Sequence, residues 1–254
     1  MRIFLIVSTL SFVISCAVNP VTGKQDFVMI SENQEIQMGR EYNAQILKQY
    51  PVYQDQILQE YVQSIGDSLA LKSHRPELVY RFTVLDSPDI NAFALPGGYI
   101  YINRGLMSYL SSEEELAAVL GHEIGHVTAR HSVRQYSQAQ LMGILSTAVE
   151  INSGRTAGNL ANLASGALLS GYGRDMELEA DDLGAQYIYQ EGYSPQGMYE
   201  VLSVLKDQEI YSKKIAEQRG QEPRSYHGVF ASHPSNDLRL QEAVSYTHLR
   251  AHET

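Results

Sequence analysis

The feature that most constrains this chain is one H-E-x-x-H motif inside the stretch 111–131, S-S-E-E-E-L-A-A-V-L-G-H-E-I-G-H-V-T-A-R-H. Ser112 and the glutamate three residues later form a capping box, which predicts that a helix begins there. On that helix His122 and His126 lie one turn apart on one face, so both imidazoles can reach a single tetrahedral zinc ion. Glu123 is offset by one residue, which lets its carboxylate reach a water on the metal without binding the metal itself. The alternative is an amphipathic helix with two surface histidines.

Two histidines do not complete a catalytic zinc site, which needs a third protein ligand and an open position for water. One class of site takes a third histidine from H-E-x-x-H-x-x-G-x-x-H. Here the glycine position is Ala129 and the third histidine position is Ser132, so that class is excluded. His131 would point about 140° away from His126 on a continuing helix, so we interpret it as a surface residue or as a residue that supports a ligand.

A later acidic segment, R-D-M-E-L-E-A-D at 174–181, offers the missing ligand. Glu177 and Asp181 are four residues apart and share a helix face, whereas Glu179 points about 160° from Glu177. Glu177 can therefore bind a metal while Asp181 orients a ligand histidine through its other ring nitrogen. The alternative for each of these acids is a solvated helix face.

The rest of the pattern predicts an α+β domain that is mostly helical, with a small sheet immediately before the metal helix. Alternating, β-branched and aromatic residues predict extended segments at 80–84, 91–95 and 99–103. Apolar residues at helical spacing predict further helices at 31–49, 57–69, 174–190 and 194–208. A chain of 254 residues is long enough to bury a full core. Its net charge of -10 disfavours nucleic-acid binding, because the sequence has no basic stripe.

The N-terminus predicts a lipoprotein signal peptide at residues 1–15. Arg2 precedes an apolar run over 3–14 that is too short for a transmembrane helix. Cys16 is the only cysteine, which excludes an intramolecular disulfide, and its position resembles a bacterial lipobox, where the cysteine is lipidated and becomes residue one. Acyl chains on Cys16 would hold the domain at a membrane. In that sorting pattern, Ala17 favours the outer membrane. The alternative is a secreted protein with a stray thiol.

Three motifs in order resemble the HtpX-type family of zinc metallopeptidases, to which the CaaX prenyl proteases also belong. They are N-A-F-A-L-P-G-G-Y-I-Y at 91–101, H-E-I-G-H at 122–126, and R-x-x-E-x-E-A-D at 174–181. The lipobox and the N-P-V-T-G-K sequence at 19–24 are similar to the periplasmic lipoprotein branch of that family. The resemblance covers nearly all of 16–243 and implies a zincin-like fold of the gluzincin type.

The resemblance also implies roles for particular residues. His122, His126 and Glu177 would bind one zinc ion per chain, and Glu123 would act as the general base. The segment expected to form an edge strand, along which a substrate peptide is added, comprises Asn91, Ala92, Phe93 and Ala94. Such an edge offers backbone hydrogen bonds without sequence demands, and the alternative is an ordinary loop.

His233 resembles a family position near the zinc. It can stabilise the oxyanion or occupy the open coordination site in a resting state, and the alternative is a structural histidine at a helix start. Arg239 is expected to accompany it.

The domain organisation follows from these segments. Residues 16–27 are predicted to be a tether from the lipidated cysteine, and 28–243 are predicted to be the zinc metallopeptidase domain. Residues 244–254, V-S-Y-T-H-L-R-A-H-E-T, resemble the in-frame translation of a sequencing adapter and are predicted to be a non-native tail. The natural chain is then expected to continue past Ala243.

Together these features predict a zinc-dependent endopeptidase on the periplasmic side of the outer membrane. Its expected substrates are misfolded or misassembled envelope proteins, and outer-membrane assembly machinery is a further candidate partner. A prenyl-peptide protease is disfavoured, because no other apolar run reaches the roughly 18 residues that a spanning helix needs. The alternative is a chaperone-like, peptide-binding lipoprotein with a structural zinc. A third possibility is an assembly lipoprotein that keeps the motif without catalysis, against which the intact Glu123 argues.

Overall fold

The computed structural model describes residues 16–152, 171–220, 233 and 236–246. Its strands are β1 Cys16–Val18, β2 Gln25–Phe27, β3 Arg81–Leu85, β4 Ala92–Leu95 and β5 Tyr99–Asn103. Its helices are α1 Glu32–Gln49, α2 Gln56–Leu71, α3 Arg104–Met107, α4 Glu113–Thr128, α5 His131–Asn152, α6 Arg174–Glu191, α7 Gln196–Gln218 and α8 Asn236–Tyr246. The prediction of a mostly helical α+β fold with a small sheet before the metal helix is confirmed.

The signals at the helix starts act as the sequence predicts, with one difference. At α1, the Ser31 hydroxyl accepts from the N–H of Gln34, and the Gln34 side chain accepts from the N–H of Ser31. At α4, Ser112 accepts from the N–H of Glu115 at 3.2 Å, but the Glu115 carboxylate accepts from Ser111 at 2.7 Å rather than from Ser112. Both helices therefore begin with side chains that satisfy free main-chain donors.

The three-stranded sheet has the order β3-β5-β4, with β3 parallel and β4 antiparallel to β5. Gly97 and Gly98, at φ +75° and +87°, form the turn between β4 and β5, a conformation that residues with a side chain rarely adopt. In this strand order β4 pairs with β5 on one side only, so it lies at an edge of the sheet. Ala92 and Ala94 face the main core, whereas Phe93 packs on the opposite face, with its ring centroid 4.8 Å from that of Tyr101.

Helix α4 lies at the centre of the fold, and every residue from Glu115 to Thr128 is buried. It packs against α2, α6, α7 and the edge strand β4. A helix that is buried on all sides needs neighbours on all sides, so the H-E-x-x-H motif is surrounded by protein. The histidines are therefore not the surface pair of the alternative interpretation.

Helices α4 and α6 approach so closely that only small residues fit between them. A Cβ atom built on Gly184 would lie 2.8 Å from the main-chain nitrogen of His122. One built on Gly125 would lie 2.8 Å from the main-chain oxygen of Ala180. These glycines set the distance between the helix that carries the histidines and the helix that carries Glu177.

A buried ionic cluster holds the C-terminal end of α4 against α1. The Glu35 carboxylate accepts from Arg75 at 2.7 Å and from Arg130 at 2.8 Å, and Arg75 also donates to the main-chain oxygen of Val127 at 3.1 Å. Arg130 has a left-handed backbone at φ +56°. The chain reverses at this residue, and α5 begins at the next one.

The segment 16–27, predicted to be a tether, contains the two-stranded hairpin of β1 and β2. The Asn19 side chain accepts from the N–H of Val21 and of Thr22 within its turn. The predicted signal peptide at 1–15, and the part of the predicted tail beyond Tyr246, lie outside the described residues. The domain limits at 28 and 243 remain predictions. Among the described residues, no helix combines the length and apolarity that a membrane crossing requires.

Two helices differ from the prediction. Helix α7 runs to Gln218 rather than ending near Gln208. The prediction followed the buried apolar stripe, which ends at Leu205, whereas the helix itself extends past it. Beyond that point it presents exposed residues such as Tyr211 and an ion pair between Lys213 and Glu209. The single-turn helix α3 was not predicted.

Gly184→Ala is expected to lower the free energy of unfolding by about 1–3 kcal/mol, because the added methyl forces α6 away from α4. Denaturation of the metal-free protein in urea measures this change. Gly173→Ala is the control, since a Cβ there meets no atom within 4 Å. Equal stability of the two variants would contradict the close-contact interpretation.

Candidate metal centre

The two histidines of the motif direct their Nε2 atoms at the same point. These atoms lie 2.9 Å apart, and both side chains are buried. The Nδ1 atom of His122 lies 2.8 Å from Asp181 Oδ1, so that nitrogen carries the proton and Nε2 is a free lone pair. At this distance either a proton on His126 Nε2 joins the two nitrogens in a hydrogen bond, or a cation bound by both offsets the repulsion of two lone pairs. The structure thus brings His122, His126 and Asp181 together as predicted.

Glu177 and His233 face the same point from other parts of the chain. Glu177, in the first turn of α6, lies 3.5 Å from His126 Nε2 and 3.7 Å from His122 Nε2. His233 Nδ1 lies 2.9 and 3.0 Å from the two carboxylate oxygens of Glu177, and 3.2 Å from His122 Nε2. Each of the four side chains offers a ligand atom within 4.8 Å of the others.

The separations between these atoms fit a zinc ion. With zinc–ligand bonds of about 2.0–2.1 Å, the ligand atoms of a tetrahedral site lie about 3.3–3.4 Å from one another. The separations given above run from 2.9 to 3.7 Å. Three nitrogens and a carboxylate oxygen also match the ligand types that zinc accepts. His233 provides the fourth ligand atom of this arrangement, which fits its predicted role in the open coordination site of a resting state. Its position also fits the other predicted role, as a donor to the oxyanion beside the metal.

Two of the four candidate ligands, His126 and Glu177, are held in the protonation states that metal binding needs. Burial, with the neighbouring charges of His122 and His131, lowers the pKa of His126 well below its usual value. Burial alone would raise the pKa of Glu177, but His233 and Arg239 outweigh it and hold that pKa below its ordinary value. A neutral imidazole and an ionised carboxylate are the forms that bind zinc.

Asp181 and Arg239 form a buried pair behind His122. Arg239 donates from Nε and Nη2 to the two carboxylate oxygens of Asp181, at 2.6 and 2.7 Å, and its Nη1 lies 2.9 Å from Glu177 Oε2. Burial opposes ionisation, but the Arg239 charge holds the pKa of Asp181 far below its usual range. Arg239 was predicted to accompany His233, and the structure places it against both acids of α6.

Glu123 lies beside the ligand cluster but outside it. Its Oε1 is 3.5 Å from His233 Nε2, and its Oε2, although buried, has no hydrogen-bond partner among the described residues. Burial raises the pKa of Glu123, with His233 and His122 opposing that rise. A buried carboxylate with an unpaired oxygen and a raised pKa is suited to hold a water and to take its proton.

The prediction for His131 is half wrong: it is not a surface residue. Helix α4 ends at Thr128, and the left-handed Arg130 turns the chain so that His131 Nδ1 lies 2.8 Å from His126 Nδ1. His131 is fully buried, and burial lowers its pKa. The sequence offered no helix-stop residue at this point, so the prediction assumed a continuing helix.

Two further neighbours were missed by sequence reasoning. Glu179 accepts from His131 Nε2 at 3.0 Å. Although Glu179 points away from Glu177, its side chain therefore has a protein partner and does not lie on a solvated helix face. The Tyr172 ring stacks on the His126 ring, with centroids 4.0 Å apart and planes 18° apart. Glu179 lies in the R-x-x-E-x-E-A-D motif, but neither that motif nor any pattern around Tyr172 predicts these contacts, because both join distant segments.

The predicted edge segment lies next to Glu123. Asn91 precedes β4 and accepts from the N–H of Asn103, so by the antiparallel alternation the main-chain groups of Ala92 and Ala94 point away from β5, toward the open edge. Ala92 lines a cavity that also contacts Glu123. Ala92 is thus the residue of this segment that lies beside the carboxylate, and substrate binding along the edge stays a prediction.

Asp181→Asn is expected to weaken zinc binding about 10–100-fold, because it removes the charge that orients His122 while keeping the shape of the side chain. Competition with a chromophoric chelator measures the dissociation constant. Asp182→Asn, at the exposed neighbouring acid, is the matched control. Equal affinities for the two variants would show that Asp181 does not support the ligand.

Residues 56–247 match the profile of Peptidase family M48. The chain is 31% identical over 236 residues to the beta-barrel assembly-enhancing protease of Yersinia pestis, covering 88% of this chain and 46% of that protein. It is 32% identical over 162 residues to the mitochondrial metalloendopeptidase OMA1 of Arabidopsis thaliana, covering 62% and 33% of the two chains.

It is also 32% identical over 167 residues to the metalloprotease YcaL of Escherichia coli strain K12, covering 63% and 59%. The chain thus spans less than half of the first of these relatives. The profile match confirms the metallopeptidase resemblance carried by the three sequence motifs. Together with the cluster of His122, His126, Glu177 and His233, it shows that the chain belongs to peptidase family M48, whose cofactor is zinc.

Proposed function

We propose that this protein is a zinc-dependent endopeptidase that hydrolyses misfolded or misassembled envelope proteins from the periplasmic side of the outer membrane. The observation that carries the proposal is the unpaired, buried oxygen of Glu123 beside the four-residue ligand cluster. A metal site built only for structure would not need a buried carboxylate at this position, since burying an unpaired polar atom costs free energy.

The chemistry divides between the ion and the protein. When bound, zinc supplies Lewis acidity toward the scissile carbonyl and toward a water. Glu123 takes the proton of the attacking water and returns it to the leaving amine, as a general base and then a general acid. His233 would hold the ion in the resting state or, beside it, donate from Nε2 to the developing oxyanion; in this structure that atom lies 3.5 Å from Glu123 Oε1.

The edge strand supports an extended peptide as substrate. Main-chain groups of Ala92 and Ala94 point outward, so a peptide can pair with β4 through backbone hydrogen bonds alone. Pairing through the main chain adds no demand on the sequence of that peptide. Folded proteins keep most strands paired or cover their edges, so this mode of binding favours unfolded segments.

The cavity beside Glu123 supports the same substrate class. Its polar lining residues are His122, Glu123, His233 and Arg239. The rest of its lining is apolar: Ala92, Leu106, Ala118, Val119, Met198, Val201, Leu202 and Leu205. An apolar lining at this place favours a small apolar side chain over a charged one next to the scissile bond. Misfolded proteins expose such side chains, which native proteins bury.

The cellular placement rests on two observations outside the catalytic site. The sequence around Cys16 resembles a lipobox, and Ala17 after it favours outer-membrane sorting in that pattern. The Yersinia pestis relative is named for enhancing beta-barrel assembly, which supports envelope proteins as substrates and outer-membrane assembly machinery as a candidate partner.

A chaperone-like peptide-binding lipoprotein is the competing function. It would use the same edge strand and hold the same zinc, so metal content does not separate the two. Hydrolysis of casein that a chelator abolishes and zinc restores does separate them.

Glu123→Gln is expected to retain zinc but to lose hydrolysis by a factor of about 10²–10⁴, because the amide cannot take the proton of water. Casein cleavage measures activity, and chelator competition measures zinc affinity. Glu114→Gln, on the same helix, is the control and should keep both properties. Undiminished cleavage by Glu123→Gln would remove Glu123 from the mechanism, and no cleavage by the zinc-loaded wild type would favour the chaperone.

Cys16→Ser is expected to move the protein from the membrane fraction to the soluble periplasmic fraction, because serine cannot carry the thioether-linked lipid. Ala17→Asp should instead redirect it to the inner membrane. Sucrose-gradient fractionation of envelopes gives the distribution, with Glu123→Gln as a control that remains in the outer membrane. Persistence of Cys16→Ser in the outer-membrane fraction would contradict a lipid anchor.

A further inference from the structure

The two ligand histidines are supported differently. The outer nitrogen of each ring is its Nδ1 atom, which faces away from the point shared by the ligand atoms. In His122 this nitrogen lies 2.8 Å from the carboxylate of Asp181. The outer nitrogen of His126 lies instead 2.8 Å from the Nδ1 atom of His131, whose Nε2 is 3.0 Å from Glu179 Oε2. The path from a ligand to its supporting carboxylate therefore has one more residue on the His126 side.

Counting protons along this path gives one arrangement. His126 presents Nε2 to the metal as a lone pair, so its Nδ1 carries the proton and must donate. His131 then accepts through Nδ1 and carries its own proton on Nε2. That proton is donated to Glu179, which accepts it as a carboxylate. Each contact in the chain has one donor and one acceptor.

We propose that His131 and Glu179 form a positioning pair that fixes the tautomer and ring orientation of His126 for zinc binding. Their part is to act through His126, because neither faces the point shared by the ligand atoms. The pair does for His126 what Asp181 does for His122, and a carboxylate at the end of each path polarises the ligand ring.

The surrounding structure holds both members in place. Arg134, in the first turn of α5, donates to Glu179 at 3.1 Å, so this carboxylate is held from two directions. Arg130, whose left-handed backbone returns His131 to the ligand, is itself tied to Glu35 at 2.8 Å. A non-glycine residue in that conformation is strained, and such strain persists only where the surroundings enforce it.

The test measures zinc affinity rather than proteolysis, so it stands apart from the proposed function. His131→Ala is expected to raise the zinc dissociation constant about 10–100-fold, as for other residues that orient a metal ligand. His131→Asn should recover most of that loss, since its amide oxygen can accept from His126. Glu179→Gln should cause a smaller rise, because it keeps an acceptor but loses the charge.

Matched controls separate positioning from general damage. Glu191→Gln pairs with Glu179→Gln, because both acids lie on α6, join an ion pair and are about equally exposed, at 26% and 25% of the side chain. His74→Ala, at an exposed histidine that bonds to Tyr187, controls for the loss of an imidazole away from the ligands. Circular dichroism establishes that each variant is folded before zinc is titrated.

Imidazole ¹⁵N spectra of the zinc-loaded protein provide a readout that a merely structural role would not move. The wild type should show the proton of His126 on Nδ1, protected from exchange with water, and His131→Ala should show it exchanging faster. Wild-type zinc affinity in folded His131→Ala, or no recovery in His131→Asn, overturns the proposal. If His131→Ala does not fold, equal affinities of Glu179→Gln and Glu191→Gln overturn it.

Discussion

The close contact between α4 and α6 is the constraint on which the centre depends. Gly184 and Gly125 let the two backbones meet with no side chain between them, so residues on one helix face residues on the other at bonding range. The histidine face of α4 and the acidic face of α6 then converge over a short distance. Each acid has a different partner there: Glu177 meets the lone pairs, and Asp181 meets the outer nitrogen of His122. A wider helix separation would take the buried histidine nitrogens away from these acids, and burying polar atoms without partners is costly in a protein interior.

The sequence was sufficient to predict which residues lie together when they are one turn apart on the same helix. Spacings of four residues put His122 with His126, and Glu177 with Asp181, on common faces, and helix geometry fixes that relation without reference to the rest of the fold. Alternation and turn residues likewise gave the strands before α4. The edge position of β4 followed from family resemblance, because pattern alone does not set the strand order β3-β5-β4 or the parallel pairing of β3 with β5.

The prediction failed where backbone conformation depends on distant contacts. Arg130 has no residue-type preference for a left-handed backbone, and its buried contact with Glu35, from the N-terminal helix α1, supports that conformation. Extending α4 by helical geometry therefore pointed His131 about 140° away from His126, whereas the structure brings its Nδ1 atom to 2.8 Å from that of His126. The partners Glu179 and Tyr172 were missed for the same reason. Helix periodicity describes a face, and it does not describe what packs against that face.

The ligand atoms come from three separate places in the chain: α4, α6 and the segment that carries His233. An ion that binds all of them cross-links these places, as a disulfide would, and the 254 residues contain a single cysteine. The free energy of zinc binding is then part of the free energy of folding, since the unfolded chain holds no such site. The stability of this protein is consequently a function of the free zinc concentration around it, as well as of its own contacts.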